Sequence, residues 1–246
     1  MSNGVQRLFF FPDMHVPYHS EKALRLALRV RKAFRPHRTI ILGDMADFYC
    51  VSSYDKSPAR KDSLQWEVQE CNKVLDLIDQ HKDRRDFVAG NHEFRLERYL
   101  KTKAPETFDM LKVQDLLRLK ERGWSYTPYQ HSLKIGRLWI THDEGTAGPT
   151  AHRKARDSFG GNVVIGHTHR MSVDYQGCAS GKGHVGAMFG WLGDPEAVDY
   201  LHRVKAQQWI HGVGVGYLLP SGNVHLQAIP FIEGKAVLPN GKILSA

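Results

Sequence analysis

Five short stretches carry side chains of the kind that hold divalent metal ions, and each follows an apolar run. Asp13 and His15 stand in FPDMH, Asp44 and Asp47 in LGDMAD, and Asn91 and His92 in AGNHE. His142 follows LWIT, and His167 and His169 stand in IGHTH, just past Val163, Val164 and Ile165. Residues two apart on an extended chain lean to the same side, so D-x-H and H-x-H present paired donors. Taken singly, none of these stretches decides anything. An aspartate after a strand is often a turn residue or cap. His92 and His142 fit a hydrogen-bonded core histidine, and His-x-His fits two polar loop residues. The recurrence is the informative part, because independent surface loops seldom repeat it five times. A mixed set of carboxylate, amide and imidazole donors suits Mn, Fe or Zn, whereas an all-oxygen set would favour Mg or Ca.

For these side chains to meet, the apolar runs must be strands of one architecture, with ligands gathered at their carboxyl ends. Strands are predicted at Arg7–Phe11, 38–43 (RTIILG), 86–90 (DFVAG), 138–142 (LWITH) and 162–166 (NVVIG). Leu133–Ile135 should pair with LWITH through Gly136, and 212–229 should form a hairpin around Ser221, Gly222 and Asn223. A helix is expected to open at Ser20 or Glu21, burying Ala23, Leu24, Ala27, Leu28 and Val30. Residues 48–82 read as an insertion, loop-like at first and then helical from Ser63 to about His81. Further helices are expected over Glu93–Leu100 and Phe108–Lys120, with Pro105 breaking the chain between them. The order, helices among strands and then mainly strands, predicts an α/β sandwich with a mixed central sheet. A single domain is expected over 1–246.

Composition narrows the setting. The formal charge of +8 suits polyanionic partners, although no long Lys/Arg run concentrates it. Cys50, Cys71 and Cys178 form no CxxC, which argues against a disulfide framework and a thiolate zinc site and fits a reducing cytosol. LFFF is too short for a secretory core, and no apolar run approaches a membrane span. A cytoplasmic protein without a membrane partner is therefore expected. His19, His152 and His184 read as solvated loop histidines, Lys154 and Arg156 as surface bases, and Met171, Met188 and the tryptophans as packing.

FPDMH, LGDMAD, AGNHE, ITHDEG and IGHTH resemble, in order, the signature blocks of the calcineurin-like metallophosphoesterases. The resemblance runs from Asp13 to His169 and points to the compact stand-alone members found in bacteria and their phages. It implies an α/β fold of two mixed β-sheets sandwiched between helices, with two divalent ions at the strand ends, Mn first and Fe, Zn or Ni as alternatives. One metal would be held by Asp13, His15, Asp44 and His169, the other by Asp44, Asn91, His142 and His167, with Asp44 bridging. A water between two cations has its pKa lowered to about 7 and can attack phosphorus. Asn91 would help neutralise the phosphoryl oxygens. His92 would serve the leaving oxygen, with Asp47 orienting it and keeping it cationic.

The chain departs from the protein phosphatases of that superfamily. Phe48-Tyr49 and Ala89 stand where those enzymes carry phosphate-gripping arginines, which weakens the case for a phosphoprotein substrate. Three readings follow: a phosphodiesterase or nuclease acting on nucleic acid or nucleotides, a phosphomonoesterase acting on nucleotides, nucleic-acid ends or small metabolites, and an inactive binding scaffold. Arg95 and Arg98 are candidates to grip substrate phosphate, since they share a helical face just after His92. Pairing with Glu93 and Glu97 is the competing use for them.

Overall fold

A computed structural model describes residues 4–53, 62–177, 179, 181, 183–197 and 208–246. Part of the loop expected after 48, and Cys178, lie outside the described residues. The chain runs β1 (Gln6–Phe11), α1 (Glu21–Phe34), β2 (Arg38–Ile41), α2 (Leu64–Ile78), β3 (Arg84–Val88), α3 (Asn91–Lys103), α4 (Val113–Leu116) and β4 (Trp124–Thr127). Then follow β5 (Leu133–Ile135), β6 (Leu138–Thr141), α5 (Ala151–Phe159), β7 (Asn162–Ile165), β8 (Met171–Gly177), β9 (Gly183–Phe189), β10 (Gly212–Leu218), β11 (Val224–Pro230), β12 (Lys235–Val237) and β13 (Ile243–Ser245).

The expected single central sheet is two sheets. One is six-stranded in the order β11-β10-β1-β2-β3-β4, and the other is five-stranded in the order β5-β6-β7-β9-β8. Both are mixed: β1 to β4 run parallel and β10 pairs antiparallel to β1, while β6, β7 and β9 run parallel between antiparallel β5 and β8. Alternation along each strand explains the layering. Leu8 and Phe10 of β1, with Ile40 and Val88, meet Ile140, Val164 and Phe189 across the space between the sheets. Phe9, Phe11, Ile41 and Phe87 face the other way, into a core shared with α1, α2 and α3. Val163 and Ile165 pack outward on Ala151 and Ala155 of α5. This is the architecture of two mixed sheets between helices that the resemblance implies.

Local signals account for most boundaries. Ser20 and Ser63 cap α1 and α2 by accepting from the Ala23 and Trp66 amides. Two expectations need correction. Phe108–Lys120 is not one helix but turns around the single helical turn of α4, because Arg118 takes a left-handed conformation (φ 52°) that no regular helix continues through. Arg156 is not a solvated base: it lies on α5, a helix with too few apolar residues to announce itself, and is buried against Asp174 and Asp157. Among the described residues no helix is long and apolar enough to cross a membrane.

Candidate metal centre

The carboxyl ends of β1, β2 and β3 in one sheet and of β6 and β7 in the other open onto the same place. The loops leaving β1 and β2 are zipped together by His15 N–H to Asp44 O (2.8 Å), Val16 N–H to Met45 O (2.7 Å) and Asp47 N–H to Val16 O (2.9 Å). Two glycines let the strand ends approach this closely. Gly43 is left-handed (φ 92°), and a Cβ there would lie 2.4 Å from His142 Nδ1. A Cβ on Gly90 would lie 2.2 Å from Asp44 Oδ1.

The structure brings together all seven residues named above as metal ligands. Asp13, His15 and His169 place ligating atoms within 4.8 Å of one another, as do Asp44, His142 and His167. Asn91, the first residue of α3, turns Oδ1 toward His142 Nε2 (2.9 Å) and His167 Nδ1 (2.8 Å). His15 Nε2 and His169 Nε2 face each other at 3.0 Å. Asp44 lies between the halves, its Oδ2 3.2 Å from His142 Nε2 and its Oδ1 accepting from the His92 amide.

Hydrogen bonding sets the ring orientations. Asp47 Oδ2 lies 3.0 Å from His15 Nδ1, and Leu42 O lies 2.7 Å from His142 Nδ1. An oxygen of either kind asks for a proton on Nδ1, which leaves the Nε2 lone pair pointing into the centre. For His142 that lone pair meets Asn91 Oδ1 and Asp44 Oδ2, an arrangement of acceptors that demands positive charge. The ring answers by holding a proton: burial opposes it, but the Asp44 carboxylate and then Asp13 push its pKa up to about 10. Burial, followed by the charge of Asp44, pushes Asp13 up to about 7 against the pull of His142. Burial lowers His167 and His169, so these imidazoles are neutral, the form that ligates. Asp13 Oδ2 and His169 Nδ1 are buried without a hydrogen-bond partner among the described residues. Buried acceptors in excess of donors, with neutral imidazoles converging on them, fit divalent cations.

His92 and Asp47 do meet, but not as a simple pair. Asp47 lends its carboxylate to His15, and its backbone carbonyl is the nearer partner of His92 Nδ1, at 3.0 Å against 3.3 Å for Oδ2. Arg95 Nη2 lies 2.8 Å from His92 Nε2. Arg98 reaches instead to Ser53 Oγ (3.0 Å). Neither arginine uses the glutamates of its own helix. Glu97 pairs with Lys101. Glu93 is fully buried, and its carboxylate accepts from the amides of Asp44, Ala46 and Gly90 at 2.9, 2.9 and 2.7 Å. Burial first, and then Asp44, pushes Glu93 up to about 7.

Sequence reasoning missed Glu93 as an organiser of the site, although a glutamate at the third helical position is the usual signal. It also missed the aromatic wall. Trp191 stacks on the His169 ring (centroids 4.9 Å, 12° between planes), and Trp209 meets it edge-on at 4.2 Å. His19 pairs with Glu21; His152 is not a solvated loop histidine but a buried residue of α5 that meets Ser172, so both serve partners outside the cluster.

No family model matches the chain. It is 24% identical over 251 residues to the "Gene 54 protein" of Mycobacterium phage D29, covering 94% of this chain and 95% of that one. Among solved structures it is similar to Vacuolar Protein Sorting 29 from Cryptosporidium parvum (15% identity, TM-score 0.46, covering 98% and 97% of the two chains). It is also similar to YfcE, a phosphoesterase from E. coli (15% identity, TM-score 0.41, covering 97% of each).

Proposed function

We propose that the chain is one catalytic unit, a two-metal phosphoester hydrolase that cleaves phosphodiesters in nucleic acid or nucleotides. The observation that carries this reading is the convergence of seven ligating side chains from five strand ends, with Asp44 between the two halves. One cation would be held by Asp13, His15, Asp44 and His169, the other by Asp44, Asn91, His142 and His167, with Mn the first choice and Fe, Zn or Ni the alternatives. Two such cations, once bound, would supply Lewis acidity to the phosphoryl oxygens and lower the pKa of an attacking water to about 7. The protein does the rest. Asp47 and Leu42 O fix the tautomers of His15 and His142. Glu93 ties the loop after β2 to the start of α3, which sets Asn91 and His92 against Asp44. Asn91 offers its amide to a phosphoryl oxygen. His92 directs Nε2 toward the leaving oxygen, 3.8 Å from Asp44 Oδ2. The preference for a diester rests on the charge of +8, which favours a polyanion by releasing its counterions.

The test is metal analysis with a paired assay. Mn-supplemented protein should hold two ions per chain and hydrolyse bis-p-nitrophenyl phosphate faster than p-nitrophenyl phosphate. Asp44→Asn should weaken both metals at once and abolish turnover. Full activity after chelation would sink the reading, and faster cleavage of the monoester would turn it into a phosphatase.

A further inference from the structure

Arg95 sits beside the proposed centre with partners too weak for it. It lies one turn after His92 on α3, so the two share a face. A guanidinium only donates. Its three contacts are His92 Nε2 at 2.8 Å, Asp47 O at 3.1 Å and Asp47 Oδ1 at 3.3 Å. The two shorter ones are to neutral acceptors, and the one anionic contact is long. The Asp47 carboxylate is, moreover, shared with His15 and His92. Among the described residues no other carboxylate engages it, since Glu93 serves backbone amides and Glu97 serves Lys101. The side chain is 12% exposed, so part of it reaches solvent. His92 Nε2 is 3.8 Å from Asp44 Oδ2, which puts Arg95 Nη2 within about 6.6 Å of that oxygen. A phosphoryl group held at the centre bridges such a gap.

We propose that Arg95 is the anion-recognition residue of this site, and that its contact with His92 Nε2 is a resting hold which a phosphoryl oxygen of the substrate displaces. The proposal rests on the phosphoester reading above. It follows from competition between acceptors. An ionised phosphate offers the fork two oxygens in a charge-assisted, bidentate contact, roughly twice as strong as a neutral one. The same movement frees His92 Nε2, which carries no proton while Arg95 donates to it, to take one up from water and pass it to the leaving oxygen. Recognition of the anion and readiness of His92 are thereby one event. Departure of the product phosphate returns Arg95 to its hold.

The probe is inorganic phosphate, titrated calorimetrically into Mn-loaded protein. Arg95→Ala should weaken phosphate binding by about 10- to 100-fold while two Mn ions remain bound. Arg95→Gln, which keeps a donor for Asp47 O, should show the same loss, and Arg95→Lys a smaller one. Lys101→Ala, on the same helix and of the same charge, should bind phosphate within about twofold of wild type. In a His92→Ala background the loss caused by Arg95→Ala should persist. Binding by Arg95→Ala and Arg95→Gln within twofold of wild type would overturn the proposal, as would a loss that vanishes once His92 is gone, since Arg95 would then act only through the imidazole. Wild-type protein that takes up no Mn would sink the functional reading itself, and this inference with it.

Discussion

Gly90→Ala tests whether the site depends on Asp44 being where it is. Gly90 closes β3 at φ −100° and ψ −175°, an extended conformation that alanine adopts freely. The cost is one of space. An added Cβ would lie 2.2 Å from Asp44 Oδ1, 2.5 Å from Asp44 N and 2.9 Å from Asp44 Cγ. Ordinary contact begins at 3.4 Å, so the carboxylate must retreat by about 1.2 Å. It has little room, because its amide is held by Glu93 and its Oδ1 by the His92 amide. Overpacking of this kind costs about 1–3 kcal/mol, and losing glycine at the start of α3 adds up to about 1 kcal/mol. At roughly 2–4 °C per kcal/mol for a chain of this size, Tm should fall by several degrees. The functional loss should be larger, since misplacing a reacting group by about 1 Å costs about 10²-fold. Mn stoichiometry and affinity, Tm with and without Mn, and turnover of bis-p-nitrophenyl phosphate measure the three consequences. Gly148→Ala is the control, because nothing lies within 4 Å of a Cβ there. If Gly90→Ala folds and binds two Mn ions with wild-type affinity, Asp44 is not the shared ligand and the reasoning is wrong.

His92→Ala should keep its metals and lose about 10²–10⁴-fold in turnover, less for a leaving group as good as p-nitrophenolate; loss of Mn instead would place His92 among the ligands. Asp13 and Glu93, raised to about 7, and His142, raised to about 10, bind protons more tightly folded than unfolded, while the lowered His167 and His169 work the other way below about pH 6.5, so metal-stripped protein should lose stability as pH rises from about 6.5 toward 10. Metal competes with those protons, so the Tm gained on adding Mn should grow between about pH 5 and pH 8 by scanning calorimetry; a gain that shrinks over that range contradicts the assignment.

How much could be read beforehand differs by level. The strands that carry the site were legible because they are buried on both faces: FFF, IIL and VVI are continuous apolar runs that end abruptly at Gly or Pro and a polar residue. α1 and α2 were legible from their spacing and from Ser20 and Ser63. α5 was not, because its buried face includes His152 and Arg156 beside two alanines, and a hydrophobic pattern cannot see a buried cation held by Asp174. The division into two sheets was hidden from the apolar pattern and came only with the resemblance of the motifs. Leu8 and Phe9 are both apolar, and only the partner strands decide which faces the second sheet. In the site, the types and order of the side chains could be read, but their wiring could not. Nothing in AGNHEFR says that Glu93 turns back to three amides while Arg95 reaches His92.

The backbone of the site explains why its motifs share a form. His15, Asp44, His167 and His169 all take left-handed conformations, with φ of 54°, 48°, 64° and 57°. Each such residue costs about 1–2 kcal/mol, somewhat less for Asp and His than for other types. Four of them together cost several kcal/mol, against a net stability of about 5–15 kcal/mol for a whole domain. The surroundings offset that cost by bonding the turns: His15 N–H to Asp44 O, the Asp44 amide to Glu93, and the His167 amide to Asp13 Oδ1 at 2.9 Å. A left-handed residue after a strand reverses the chain and throws its own side chain back over the strand end. Gly43 before Asp44 and Gly166 before His167 leave room for that reversal: a Cβ on Gly166 would lie 2.8 Å from Leu42 O. Strand, glycine, left-handed Asp or His is therefore one structural device used at β2 and again at β7. Its repetition on two sheets is what aims carboxylate and imidazole at the same point.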